Sequence, residues 1–191
     1  MESFFTSDDE NLKWNELDSR SLLNTPVFEV TERNSVSAGG MRGDYIVVNA
    51  RDWVITLPVK DGNFLMVKQW RHGEKALSVE FPGGVIERGE APEKAAAREL
   101  LEETGFAAGR LTKLGSFNPN PALFSNHVHV FLAESLEKTG GQNLDSDEFI
   151  NCIEISVEDV IRGMGTPEFP HALMASALSL YLKSKILPWN S

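Results

Sequence analysis

Runs rich in β-branched and aromatic residues, with apolar and polar positions exchanging every one or two residues, predict most elements of this chain. PVFEVTERNSV (26–36) and GDYIVVNA (43–50) read as strands separated by the glycine-containing loop SAGGMRG. WVITLPVK (53–60) and NFLMVKQW (63–70) flank Asp61-Gly62, a dipeptide suited to a tight hairpin because both positions tolerate positive φ. ALSVEF (76–81), LTKLGSF (111–117), HVHVFLA (127–133) and EFINCIEI (148–155) are further strand-like runs. The period changes in GEAPEKAAARELLEETG (89–105). That stretch predicts a helix of about 13 residues, with Pro92 near its first turn and Gly105 as its C-terminal stop. Ser156 is placed to cap a short helix, VEDVIRG, and HALMASALSLYLKSKI predicts a C-terminal helix. Residues 1–24 are polar with scattered apolar anchors (Phe4, Phe5, Trp14, Leu22, Leu23) and are expected to wrap on something else. NPNPALFSN and EKTGGQNLDSD read as loops. Strands and helices mix without a strict βαβ alternation, so the expected fold is α/β, a mixed sheet sandwiched by helices. A small antiparallel β unit is expected over residues 1–50, with the main domain over 51–191.

Composition narrows the function. The 191 residues are 41% hydrophobic and 24% charged, enough for one ordinary domain with a normal core. A formal net charge of −10 argues against non-specific nucleic-acid or membrane binding, which needs clustered Lys and Arg. No apolar stretch approaches the ~18 residues that span a bilayer. The acidic start MESFFTSDDENLKW lacks the basic and apolar regions of a signal peptide, so a soluble, cytoplasmic protein is expected. The single cysteine, Cys152, lies in a strand-like run and is expected in the core. No CxxC or Cys/His cluster suggests zinc.

The helix over 89–105 raises a chemical question. At 100° per residue, Glu99, Glu102 and Glu103 fall within about 100° of arc, with Ala97, Leu100, Leu101 and Thr104 roughly opposite. The expectation is an apolar side in the core and three carboxylates facing one small region. Each like-charge pair at such spacing costs ~0.2–0.5 kcal/mol, and Arg98 cannot neutralise the whole set. Carboxylates at i, i+3 and i+4 are hard oxygen ligands that suit Mg²⁺ or Mn²⁺. A divalent cation would also give an acidic protein the positive charge an anionic ligand requires. A solvated acidic face is the alternative.

From Gly84 the chain reads glycine, five residues, Glu90, seven residues, and then Arg98-Glu99-Leu100-Leu101-Glu102-Glu103-Thr104-Gly105-Phe106. This pattern resembles the complete Nudix box, every fixed position filled. The resemblance implies a Nudix-type α/β/α sandwich that hydrolyses a nucleoside diphosphate linked to another moiety, by metal-assisted attack of water. It assigns Glu99, Glu102 and Glu103, with the carbonyl of Gly83, to the metal, and makes Glu102 and Glu103 catalytic. Glu90 and Arg98 would pair to hold the loop on the helix, with direct metal contact as the alternative for Glu90, and Gly84 and Gly105 would be structural.

The flanks resemble the ADP-ribose and nucleotide-sugar pyrophosphatase branch. Gln69-Trp70-Arg71 matches its Gln-aromatic-Arg element, and Glu80, Pro82, Gly83 and Gly84 match its Glu-x-Pro-small-Gly element. By that resemblance Arg71 contacts the substrate diphosphate and Glu80 hydrogen-bonds a ribose or adenine edge. A salt bridge of Arg71 with Glu74 or Glu80 is the alternative. Pro121, fifteen residues after Phe106, resembles the marker of ADP-ribose specificity, although Ala122 stands where glycine is common. Glu148 is the candidate general base or metal-shell ligand, ahead of Asp145 and Asp147. Trp53 and Trp70 are candidates for stacking on an adenine, with core packing as the alternative. His127 and His129 share one strand face and read as structural. Family members with such an N-terminal unit are often homodimers that exchange it, and Arg51 is then the first candidate for a residue lent to the neighbouring site. The expected activity is Mg²⁺-dependent (Mn²⁺ as the other option) cleavage of ADP-ribose to AMP and ribose 5-phosphate. Hydrolysis of GDP-mannose or a dinucleotide, and a non-catalytic ADP-ribose sensor, are the alternatives.

Overall fold

The computed structural model describes residues 3–187, which form two compact units: residues up to Arg51 with Asn118–Asn126, and Asp52–Phe117 with the chain from His127 onward.

The first unit is a three-stranded antiparallel sheet of β1 (Trp14–Asn24), β2 (Phe28–Ser37) and β3 (Arg42–Ala50), in that order. β2 and β3 pair without interruption from Phe28↔Ala50 to Val36↔Arg42. β1 slips register against β2 twice, between Glu16 and Asp18 and between Ser21 and Leu23. Each slip adds a residue out of the period of two, which is why WNELDSRSLLN does not announce itself as a strand. All eleven residues of β1 are exposed. Residues 118–126 join this unit at Val48, whose N–H donates to Leu123 O (2.8 Å) and whose carbonyl accepts from Ser125 N (3.1 Å).

The second unit contains β4 (Trp53–Lys60), β5 (Asn63–Arg71), β6 (Ala76–Glu80), α1 (Pro92–Thr104), β7 (Phe106–Phe117), β8 (Val128–Lys138), β9 (Asn151–Ser156), α2 (Val157–Gly163) and α3 (Ala172–Ile186). Asp61 and Gly62 join β4 to β5 with φ of 49° and 80°, the positive pair the hairpin requires. The six-stranded sheet runs β6-β5-β4-β8-β7, with β9 also on β5. Its β4–β8 pairing is parallel and the others are antiparallel. β4 alternates between two cores. Ile55 and Leu57 pack with Phe64, Met66, Val130, Met174 and Tyr181 on the α3 side, whereas Val54 packs with Ile86, Ala95, Ala96 and Phe131 on the α1 side. The helices therefore cover opposite faces of a mixed sheet, the sandwich the sequence leads one to expect. Among the described residues no helix is long and apolar enough to cross a membrane.

α1 begins and ends as expected, with Pro92 in its first turn and Gly105 left-handed at φ 70°, its N–H closing on Leu101 O at 2.7 Å. Its buried side differs from the expected one. Ala95, Ala96, Glu99, Leu100, Glu103 and Thr104 face inward, while Ala97 is exposed and Leu101 is 42% exposed. The small Ala95 and Ala96 let the helix dock against β4, where Thr56 Oγ1 donates to Ala96 O (3.3 Å). Glu99 and Glu103 continue the same stripe at i+3/i+4 and i+7/i+8, so docking carries two carboxylates inward with it.

Candidate active site

Pro82–Gly84 lies against β4, with Thr56 N donating to Pro82 O (2.8 Å) and Val54 N to Gly84 O (2.9 Å). The carbonyl of Gly83 lies between the two that β4 takes. Space, not turn geometry, demands glycine here. A Cβ on Gly83 would sit 2.1 Å from Val54 O, and one on Gly84 2.5–2.7 Å from the Glu99 carboxylate. Because the obstacle at Gly83 is backbone, Gly83→Ala should cost about 1–3 kcal/mol of unfolding free energy in a denaturant titration. A loss below ~0.5 kcal/mol, the range of neutral surface substitutions, would contradict this packing.

The Gly83 N–H donates to Glu103 Oε2 at 2.9 Å. Glu103 is 3% exposed, and burial pushes its carboxyl up to about 8, with the Glu99 and Glu148 charges adding to the rise. Burial raises Glu99 as well. Arg98 is the counter-charge, and all five of its N–H groups are engaged. Nε and Nη2 clamp Glu90 at 3.0 Å each, Nη1 bridges Glu99 Oε1 (2.9 Å) and Glu102 Oε2 (3.0 Å), and Nη2 also reaches Val85 O (3.2 Å). Glu90, above all, raises the guanidinium pKa. Glu90 in turn accepts from Glu87 N (2.9 Å), which closes the loop ahead of α1.

With Glu99 and Glu102 turned to Arg98 and Glu103 to Gly83, no three acidic, His or Cys side chains among the described residues converge as a ready-made ion cage. The donor set nonetheless fits a hard divalent cation. It offers carboxylate oxygens on one stripe, two of them held by burial at a raised pKa that a cation would relieve. In metal-free protein the sign is fixed. A folded-state pKa of about 8 against 4.5 for an ordinary glutamate means the fold prefers protonated Glu103, so its contribution is full at low pH and is lost as pH rises from ~4.5 to ~8. Melting temperatures in chelator should therefore fall from pH 5 to pH 8 more steeply for the native chain than for Glu103→Gln. That comparison cancels His171, whose burial-lowered pKa acts in the opposite direction. Parallel curves would contradict the raised Glu103.

Arg71 ends β5. Its Nε donates to Glu80 Oε1 (2.8 Å) and its Nη2 to Glu80 Oε2 (2.5 Å). The Glu80 side chain is 1% exposed and that of Arg71 43%. Burial alone would raise Glu80, but the guanidinium overrides it and holds the carboxyl below its usual range. Both Glu80 oxygens are thus spent on Arg71, which leaves Arg71 as the member of the pair that reaches solvent. The register pairs Val67 with Glu80 and Trp70 with Leu77, so alternation sends Trp70 to the face opposite Arg71. Trp53 packs at the margin of the α3-side core. Glu148 lies in the loop before β9, where its Oε2 accepts from Asp145 N (3.1 Å), and its charge is felt by Glu99, Glu103 and Arg71. Arg51 and Pro121 are exposed residues of the first unit, and the Arg51 carbonyl accepts from Asn126 Nδ2 (2.9 Å).

Two side-chain expectations change. Cys152 is not a core residue but exposed, its Sγ donating to Glu103 O at 3.2 Å, because Ile153 and Ile155 take the face of β9 that packs on the α3-side core and alternation sends Cys152 to the other. His129 is structural in a specific way, held between Ser116 Oγ (2.8 Å) and Asp52 Oδ2 (3.1 Å). Asp52 also accepts from His127 N (2.8 Å), a tie between the starts of β4 and β8 that no sequence pattern signals.

Comparison with known proteins gives the family. The NUDIX domain family matches residues 50–174. The ADP-ribose pyrophosphatase of Bacillus subtilis (strain 168) is 42% identical over 134 residues, 69% of this chain and 72% of that protein. The ADP compounds hydrolase NudE of Escherichia coli (strain K12) is 28% identical over 166 residues, 86% of this chain and 89% of that one. A crystal structure of an ADP compounds hydrolase superposes with a TM-score of 0.82 at 25% identity, covering 92% of this chain and 96% of the other. The chain belongs to the Nudix family. It is a Nudix hydrolase, with the dependence on a divalent metal that goes with the family.

Proposed function

We propose that this chain hydrolyses the diphosphate of ADP-ribose, or of a closely related nucleoside diphosphate sugar, to a nucleoside monophosphate and a sugar phosphate. The observation that carries this reading is Arg71, held by buried Glu80 and within electrostatic reach of Glu103 and Glu148. A diphosphate needs both a fixed guanidinium and a hard cation, and this arrangement supplies the first beside ligands for the second. The activities named for the relatives support the same substrate class.

In this reading Glu99, Glu102, Glu103 and the Gly83 carbonyl would hold Mg²⁺, with Mn²⁺ as a substitute. When bound, such a cation lowers the pKa of water and offsets charge on the phosphates. Arg71 grips the diphosphate oxygens while Glu80 keeps its guanidinium oriented. Glu148 accepts the proton of the attacking water at its carboxylate. Arg98 and Glu90 fix the loop so that Gly83 and Glu103 stay in register. The expected working form is a homodimer, for which the wholly exposed β1, with Leu17, Leu22 and Leu23, offers the surface. A monomer mass in sedimentation would refute the dimer. Free Cys152 suits a reducing compartment, so the cytoplasm is the proposed location, and recovery in another cell fraction would refute it.

The test is a substrate panel with Mg²⁺: ADP-ribose, ADP-glucose, GDP-mannose, NADH and diadenosine tetraphosphate. ADP-ribose should turn over fastest. GDP-mannose in first place would keep the chemistry and overturn the substrate. ADP-ribose binding with no turnover of any compound would make the chain a sensor.

A further inference from the structure

The C-terminal carbonyls of a helix need outside partners, and in α1 the stretch 138–143 supplies most of them, with Cys152 Sγ as a second, weaker donor to Glu103 O at 3.2 Å. Asn143 N donates to Glu102 O (2.8 Å), Gln142 Nε2 to Glu103 O (2.6 Å), Lys138 Nζ to Thr104 O (2.8 Å) and Thr139 N to Gly105 O (3.0 Å). All four donors fall within residues 138–143, shortly before Glu148. Gln142 also reaches the far side of that loop, the same amide nitrogen donating to Ile150 O at 3.1 Å. Its two amide hydrogens thus tie together the backbone of Glu103, whose carboxylate faces Gly83, and the backbone of Ile150, which leads into β9. Between these anchors Glu148 has a local bond, from Asp145 N. Gly140 and Gly141 just ahead give the segment no stiffness of their own.

We propose that Gln142 is the positioning residue for Glu148: by bridging the carbonyls of Glu103 and Ile150, it sets the loop carrying Glu148 at a fixed distance from the acidic stripe of α1. The proposal rests on the reading of Glu148 as the proton acceptor. Gln142 spends its donors on two backbone carbonyls, with Cys152 Sγ a more distant acceptor at 3.5 Å, so it acts through the loop and not on the substrate. A carboxylate that must meet one water loses most of its value when displaced by about 1 Å, a shift worth up to ~100-fold in rate. Chemistry sets the ranking of substitutions. Alanine removes the donors. Glutamate keeps the shape but faces two carbonyl oxygens with a third acceptor. Lysine restores a donor.

The test compares Gln142→Ala, Gln142→Glu and Gln142→Lys with Glu148→Gln, reading ADP-ribose kinetics and amide hydrogen exchange of residues 143–149 with Mg²⁺ present. In Gln142→Ala the proposal expects kcat lower by on the order of 10- to 100-fold, KM within about twofold, and faster exchange across 143–149. Gln142→Glu should be worse and Gln142→Lys substantially restored. A purely structural role would lower the melting temperature without this split between kcat and KM and without rescue by lysine. Unchanged exchange in Gln142→Ala overturns the anchoring. Unchanged kcat with faster exchange overturns the link from the loop to the reaction. A Glu148→Gln variant at the native rate overturns the reading of Glu148 itself and with it the role of Gln142, a failure distinct from the other two.

Discussion

Glu103→Gln is expected to lower kcat for ADP-ribose by about three orders of magnitude or more while making the chelated protein more stable. Both effects have one cause. Glu103 is a carboxylate held where a carboxylate is costly, with burial pushing it up to about 8. In the metal-free fold at pH 7.5 that cost is roughly 2–4 kcal/mol, and a neutral isostere removes it. For a chain of this size the melting temperature in chelator should rise by about 5 °C or more. The same substitution takes one anionic ligand from the proposed metal set, so the stabilising effect of added Mg²⁺ should shrink in parallel. A variant that loses activity and also melts earlier in chelator would mean that Glu103 is a fold residue first. One that keeps its activity would remove Glu103 from the chemistry.

Arg71→Ala should damage binding and stability together, and the two can be separated. Loss of a charge-assisted contact to the diphosphate is worth ~1.5–3 kcal/mol, about a 10- to 100-fold rise in KM. The stability loss arises elsewhere, because Glu80, 1% exposed, is left as a buried charge without its bidentate partner. Breaking a fully buried pair costs about 3–5 kcal/mol, and roughly 2–3 kcal/mol fits a guanidinium that keeps a face in solvent. Adding Glu80→Gln to Arg71→Ala should therefore recover most of the stability and none of the KM. A double variant no more stable than Arg71→Ala alone would contradict the buried-pair account of Glu80.

What was legible in the sequence is what a single continuous segment encodes. Residues 84–106 carry their own spacing, so the loop, the span of α1, the Glu90–Arg98 pair and the acidic stripe could be read before any fold was known. The Asp61-Gly62 hairpin and the helices after Ser156 and His171 were local in the same sense. Features that depend on register between distant segments were not. The inward turn of Glu99 and Glu103 contradicts their polarity and follows from Ala95 and Ala96 setting how α1 meets β4. That Glu80 is spent on Arg71 depends on β5 and β6 pairing so that both side chains share a face. β1 was hidden by its two register slips, Cys152 by the choice of which face of β9 meets the core, which Ile153 and Ile155 take. Gln142 gave no signal, because a glutamine in a polar, glycine-containing loop looks the same whether it faces water or a helix terminus.

The measurement that bears most directly on function is phosphorus NMR of ADP-ribose with the purified chain, followed through addition of Mg²⁺, excess EDTA and restored Mg²⁺. Loss of the diphosphate resonances, with growth of AMP and ribose 5-phosphate, should start with Mg²⁺, stop with EDTA and resume on restoration. Turnover that survives chelation would contradict a metal-dependent hydrolase built on the α1 carboxylates, and intact ADP-ribose throughout would contradict the proposed substrate.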